Sequence, residues 1–309
     1  MLRPTLVNVT FFTLTFALLT FVTLTSITQT FASESQASDR FASVEIETLQ
    51  LTDNVYVLIG SGGNIGVLTG GDGLLMIDDQ YAPLSDKIKA ALAKLGDDQP
   101  AYLINTHYHG DHTGGNINFG HEAIIAAHDN VRTRLINGSE EITQHALPEI
   151  TYQKQVSIYF NDEEIRLIHL PAGHTDGDTI VHLINNDVIH MGDNFWFPLY
   201  PYVDIDAGGS VDGLINNIET TLNMINDSTK VISGHGEVAS GKELKIFLNM
   251  LKDTRGQVRN AFAAGKTIDE IIETGLSAQW KDWGAGYINE ERWIRTLHRQ
   301  SQDAQHGHH

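Results

Sequence analysis

A chain of 309 residues, 41% hydrophobic and 19% charged, is long enough for one large α/β domain or two small ones and too apolar to be disordered. Its 39 acidic side chains against 20 basic ones give a formal net charge of −19, which repels nucleic-acid phosphates and anionic lipid and favours solubility. Cysteine is absent, so disulfides, a thiol nucleophile and thiolate metal ligands are excluded, and any metal chemistry must use His and carboxylates.

In chain order, Met1-Leu2-Arg3 makes a short positive start, and Leu6 to Thr25 carries no charge. Thr30-Phe31-Ala32 then places small residues where a signal peptidase reads. A secretory signal over 1–32 is predicted, and with it a secreted or periplasmic protein with no stable membrane span after processing. The alternative is an uncleaved N-terminal anchor, because the apolar run approaches the ~20 residues that cross a bilayer. Residues 33–43 read as a flexible tail. A main domain is expected over 44–240, a packed C-terminal helical extension over 241–300 and a disordered tail over 301–309.

Within the main domain, Val44–Leu51, Val55–Gly60, Ile65–Thr69, Leu74–Ile77 and Ala101–Asn105 read as strands, with turns at Asp53-Asn54, Ser61–Asn64 and Gly70–Gly73. Ser85 is a candidate cap for a helix to Leu95 with Ile88, Ala91, Leu92 and Leu95 on one face. Val156–Phe160, Glu164–Leu170, Thr179–Asn185, Val188–Met191 and Lys230–Ile232 are further strands, and Val211–Ile225 a helix. Strands alternating with helices in both halves predict sheets covered by helices. From Lys242 to Gln300 the pattern is helical, with a break at Gly284–Gly286, and Trp280, Trp283 and Trp293 supply apolar surface for a pocket cap or a dimer interface.

The chemistry concentrates in Thr106-His107-Tyr108-His109-Gly110-Asp111-His112. On an extended strand end, His107 and His109 point to the same side. Gly110 is expected to let the backbone turn, returning Asp111 and His112 to the same region. Neutral imidazoles and carboxylates are the ligands Zn²⁺ accepts where no thiolate is available. The remaining His121, His128, His145, His169, His182, His190 and His298 read as packed or surface residues, and His306, His308 and His309 as part of the tail.

This segment resembles the signature of the metallo-β-lactamase superfamily. Three later positions complete the resemblance in family order: His174 in Gly173-His174-Thr175-Asp176-Gly177-Asp178, Asp193 in Met191-Gly192-Asp193, and His235 in Gly234-His235-Gly236. The likeness runs from about Val44 to Ser240. It implies a four-layer αββα sandwich with two zinc ions at one edge, other divalent transition metals being the alternative. One zinc would take His107, His109 and His174, the second Asp111, His112 and His235, with Asp193 between them. It further implies that Asp78 supports the metal loop from behind, and that Asp111 and His235 serve catalysis. Metal coordination lowers the pKa of a water to about 7, and Asp111 would hold that water and shuttle its proton.

The family's true β-lactamases generally lack a carboxylate at the Asp193 position, whereas its thioesterases, lactonases, phosphodiesterases and nucleases carry one. Acidity argues against a nuclease, export against a glutathione thioesterase, and His109, where the family's di-iron branch carries Glu, against that branch. The expectation is an exported hydrolase of a small amide, lactone or ester, with β-lactamase activity within its range. The alternatives are a non-catalytic zinc-binding protein and an iron-dependent sulfur dioxygenase-like enzyme. Asn194–Tyr202, dense in aromatics with two prolines, is expected to form an apolar wall. Pocket candidates are Asn64 from the Gly-rich turn and Trp196, Phe197, Tyr200 and Tyr202 from the wall. The oligomeric state stays open.

Overall fold

Four short strands joined by the predicted turns start the fold: β1 (Glu47–Gln50), β2 (Val55–Ile59), β3 (Ile65–Gly70) and β4 (Gly73–Ile77) form an antiparallel meander. The structure is a computed structural model and describes residues 40–138 and 142–306. The expected signal over 1–32, the first residues of the expected tail (33–39) and the last three residues lie outside those described. Residues 40–42 are helical, and from Glu45 onward the chain forms one compact unit distinct from the segment ending at Val44.

Helix α1 (Ser85–Leu92) buries Ile88, Ala91 and Leu92 and carries the chain back, so that β5 (Tyr102–Ile104) lies parallel to β4. Ser85 does not cap it: a 3-10 turn over Ala82–Leu84 already leads into the helix, and the Ser85 hydroxyl accepts from Asn118 instead. The helices α2 (Gly110–Thr113) and α3 (Asn116–Phe119), strand β6 (Ile124–His128), helix α4 (Asp129–Gly138) and strand β7 (Ile150–Tyr152) follow. The first sheet then has seven strands in sequential order.

The second half adds β8 (Gln155–Phe160), β9 (Glu163–His169), β10 (Thr179–Leu183), β11 (Val188–His190), β12 (Trp196–Phe197), helix α5 (Val211–Leu222), β13 (Lys230–Ile232), β14 (His235–Gly236) and β15 (Ala239–Ser240). Six of these strands form the second sheet in the order β15-β13-β11-β10-β9-β8, and β12 pairs with β14 in a small ribbon. Val55, Val57, Leu68, Leu75, Ile77 and Ile104 of the first sheet meet Ile165, Leu167, Val181, Leu183, Val188 and Ile232 of the second in one dry core. Helices cover the outer faces, which makes this the expected αββα sandwich.

Three helices close the chain: α6 (Gly241–Ala263), α7 (Ile268–Thr274) and α8 (Glu290–His306). The extension joins the second sheet's outer face through Leu244 and Phe247 of α6, Trp283 of the 3-10 segment before α8, and Trp293 and Leu297 of α8. The helical tail breaks where predicted: a 3-10 segment ends at Ala285 and α8 starts at Glu290. The disorder expected from 301 is corrected, because α8 continues to His306. Ser301 is buried there and donates to the carbonyl of Leu297, one turn back, which keeps the last turns in register.

Candidate metal centre

The predicted ligands gather at one edge of the two sheets: His107 and His109 follow β5, Asp111 and His112 lie in α2, His174 follows β9, Asp193 follows β11, and His235 opens β14 just after β13. His107, His109, His174 and Asp193 offer ligand atoms within 4.8 Å of one another, as do Asp111, His112 and His235. The expected role of Gly110 is corrected. It sits at the start of α2, and a side chain there would meet nothing within 4 Å. The helical turn itself, with the amides of His112 and Thr113 both donating to the His109 carbonyl, brings Asp111 and His112 back.

The outer nitrogen of each imidazole in the first group has its own acceptor. His109 Nε2 lies 2.9 Å from Asp204 Oδ2, and His174 Nδ1 lies 2.8 Å from the carbonyl of Tyr202. His107 Nδ1 faces Thr106 Oγ1 at 3.1 Å, while that hydroxyl spends its own proton on Asp78. These acceptors assign the ring protons outward and leave a lone pair on each inner nitrogen. Yet His109 Nδ1 stands 3.1 Å from His107 Nε2 and 2.8 Å from His174 Nε2. Lone pairs converging this closely repel unless a cation lies between them. In the second group His112 Nδ1 donates to Asp78 Oδ2 at 2.7 Å, and its Nε2 faces His235 Nε2 at 3.3 Å.

Asp193 is buried and faces both groups. Its Oδ2 lies 3.7 Å from His107 Nε2 and 3.4 Å from His174 Nε2; its Oδ1 lies 3.1 Å from His112 Nε2 and 3.4 Å from His235 Nε2. Oδ1 makes no hydrogen bond in spite of these neighbours. Ligands about 2.1 Å from a tetrahedral zinc stand about 3.4 Å apart. The spacings and the orphaned carboxylate oxygen therefore fit two divalent metals of this size.

The electrostatics differ between the two groups: His107 and His174 are held below the usual imidazole range, whereas burial is outweighed by the carboxylates around His112 and His235, which raise both above it. Burial, reinforced by His112, holds His107 well below the usual imidazole range, and burial takes His174 down to about 4, so both are neutral at pH 7. Burial opposes ionisation of Asp193, but His112, His235 and the other imidazoles outweigh it and hold the carboxyl well below its usual range. Burial likewise opposes charge on His235, yet Asp193 and Asp111 push it up to about 9.

Asp78 stands where expected, behind the loop. Its Oδ1 accepts from the Thr106 amide at 2.8 Å, and its Oδ2 from the Thr106 hydroxyl and His112, both at 2.7 Å. Its φ of 62° is costly for a non-glycine residue, and these bonds hold it. Two glycines are required by close approach: a Cβ on Gly63 would overlap the His112 ring, and one on Gly234 the Asp193 carboxylate.

Among the pocket candidates, two are corrected. Asn64 is buried, donating to the carbonyls of Ser233 and Gly236, so it ties down the His235 loop and lines nothing. Tyr200 is fully buried, stacks on Trp293 and donates to the Trp280 carbonyl, so it anchors the C-terminal extension. Trp196 packs against the His235 ring at 4.3 Å, and Phe197 is half-buried against Trp283. Tyr202 is 36% exposed, with its ring 5.9 Å from His109 and 5.7 Å from His174.

Three supporting residues escaped the sequence reading. Asp204 joins His109 to Tyr108, whose hydroxyl donates to Asp204 Oδ2 at 2.8 Å. Asp178 accepts from the amides of His174 and Thr175 and so shapes the His174 loop; its place in the Gly173–Asp178 segment was the available signal. Asp79 is buried and accepts from the Gly115 amide. The seven other histidines in the chain interior belong to neither ligand group.

The sequence profile of the metallo-β-lactamase superfamily matches residues 58–235, more than half of the chain, and the chain belongs to that superfamily. No curated protein sequence matches it. Among solved structures, a metallo-β-lactamase from Pontibacter korlensis shares 14% identity with a TM-score of 0.59, over 68% of this chain and 100% of that one. The metallo-β-lactamase DIM-1 shares 15% with a TM-score of 0.58, over 68% and 99%. The stereoselective inverting sec-alkylsulfatase Pisa1 from Pseudomonas sp. shares 13% with a TM-score of 0.65, over 82% of this chain and 50% of that one. That 82% is more residues than precede Gly241, so the alkylsulfatase likeness extends into the C-terminal helices. At these identities the likeness is one of fold.

Proposed function

We propose that the protein is an exported, zinc-dependent hydrolase of small esters, lactones or amides, with β-lactams within its range. The observation that carries this reading is Asp193, one buried carboxylate whose two oxygens face two separate groups of ligands. His107, His109 and His174 would hold one zinc, Asp111, His112 and His235 the other, and Asp193 both. When bound, zinc supplies Lewis acidity and acidifies a coordinated water. Among the described residues no helix is long and apolar enough to cross a membrane. Export itself rests on the charge-free run and small-residue site before Ser33.

The chain's own groups do the rest. Burial raises the Asp111 carboxyl, but the hydrogen bond from His235 and the field of His112 outweigh it, so the carboxylate stays ionised. Asp111 Oδ2 lies 3.3 Å from His235 Nε2 with its side chain 24% exposed, where it can take a proton from water and return it to the leaving atom. Asp78 and Asp204 fix the tautomers of His112 and His109.

The test is turnover by zinc-loaded protein of a chromogenic β-lactam, a lactone, an aryl ester and a secondary alkyl sulfate. Hydrolysis of at least one, lost in His109→Ala with the fold retained, is expected. Two bound zincs with no turnover of any would favour a binding protein, and full activity in His109→Ala would overturn the mechanism.

A further inference from the structure

Tyr287 of the C-terminal extension stands against Tyr202, whose ring lies beside two of the metal-ligand histidines. Tyr287 lies in the loop between the 3-10 segment and α8, and its side chain is 69% exposed. The loop beneath it is held firmly. Ile288 is buried, Arg292 Nη1 donates to the Tyr287 carbonyl at 2.9 Å, and the Arg292 amide donates to Asn289 Oδ1 at 2.9 Å. The Arg292 guanidinium also lies 5.0 Å from the centre of the Tyr287 ring. A large aromatic is thus displayed on an anchored backbone, which suits recognition more than a mobile tip would.

The ring has a defined neighbour. Tyr287 meets Tyr202 edge to face, with centroids 6.5 Å apart, and Tyr202 in turn lies 5.7–5.9 Å from the His174 and His109 rings. Tyr202 is itself held, because its carbonyl accepts from His174 Nδ1. The two tyrosines form a stepped aromatic wall that leads outward from the metal ligands. One step is contributed by the main domain and the other by the extension, whose seating is fixed by the Tyr200 amide donating to the Trp283 carbonyl at 2.9 Å.

The geometry points to a substrate-recognition arm made by Tyr202 and Tyr287, which packs a flat apolar group of the substrate, such as a phenyl ring. This rests on the hydrolase reading of the same site, and it names the substrate class that reading leaves open. Aromatic contacts of this kind are worth about two- to tenfold in affinity beyond the area they cover.

The experiment compares binding of phenylacetate and of acetate, two carboxylates with the same head, to the zinc-loaded protein by calorimetry. Phenylacetate should bind about tenfold tighter, and the preference should fall towards unity in Tyr287→Ala and in Tyr202→Ala, each still carrying two zincs. Tyr159→Ala, which removes an exposed ring on β8, should keep it. Failure of phenylacetate to outbind acetate in the wild type, or a preference that survives both substitutions, overturns the arm. The hydrolase reading fails separately: a protein that shows the preference yet hydrolyses none of the substrate panel keeps the arm and loses the activity.

Discussion

Asp204→Ala is the most informative substitution beyond the ligands. The carboxylate lies 95 residues from His109 in sequence, and its Oδ2 accepts from His109 Nε2 at 2.9 Å and from the Tyr108 hydroxyl at 2.8 Å. Its side chain is only 12% exposed and that of His109 18%, so solvent screens the pair little. Burial tends to raise the Asp204 pKa, but the two hydrogen bonds outweigh it and hold the carboxyl below its usual range, so it is ionised at neutral pH. A hydrogen bond to a charged partner is worth about 1.5–3 kcal/mol, and loss of a carboxylate behind a ligating histidine typically costs about 10–100-fold in metal affinity. The two figures agree, since each tenfold is about 1.4 kcal/mol. Asp204→Ala should therefore weaken zinc at the His107–His109–His174 group by about 10–100-fold in a chelator competition. Asp204→Asn keeps an uncharged acceptor and should lose only several-fold. Tyr108→Phe removes one donor to Asp204 but leaves the His109 bond in place, so it should lose clearly less zinc affinity than Asp204→Ala. Unchanged zinc affinity in Asp204→Ala would refute the reasoning, and so would an equal loss in Tyr108→Phe.

Three further outcomes follow from particular contacts. Gly234→Ala would drive a methyl group into the Asp193 carboxylate, so the purified variant should carry less than the wild type's zinc by elemental analysis. His235, raised to about 9 in the metal-free protein, must lose a proton before it can ligate. Because His112 in the same group is raised as well, zinc affinity there should rise by at least about tenfold per pH unit from pH 7 to 9, seen as proton release in calorimetry in two buffers. The sign for stability is opposite: the raised pKa stabilises the metal-free fold below about pH 6.5, and that contribution fades as pH rises through about 9. Trp293→Ala removes a fully buried ring whose Nε1 donates to Thr254, and should cost about 3–5 kcal/mol in urea unfolding.

What the sequence made legible was local. Four ligands in six residues announce a metal site without any fold, and the strand-end positions of His174, Asp193 and His235 follow once the family order is seen. The break before α8 was marked by Gly284 and Gly286, but the earlier one between α6 and α7 was passed over, although Thr267 and Glu270 form a capping box there. β6 and β7 were missed because Ile124–His128 is a short, mostly buried run with no alternation, which periodicity cannot tell from a helix. The pocket assignments failed differently. Aromatics in Asn194–Tyr202 were recognisable, but only packing separates Tyr200, which faces the C-terminal tryptophans, from Tyr202, which faces His109. Asp204 and Tyr287 carried no local signal, since each acquires its place through contacts far along the chain.

The central claim, a two-metal hydrolytic site shared through Asp193, is tested most directly by following hydrolysis of the best panel substrate while zinc is titrated into metal-free protein. The rate should climb until two equivalents are bound, with Asp193→Ala remaining inactive at every loading. Full activity without zinc, saturation at one equivalent, or an active Asp193→Ala would contradict it.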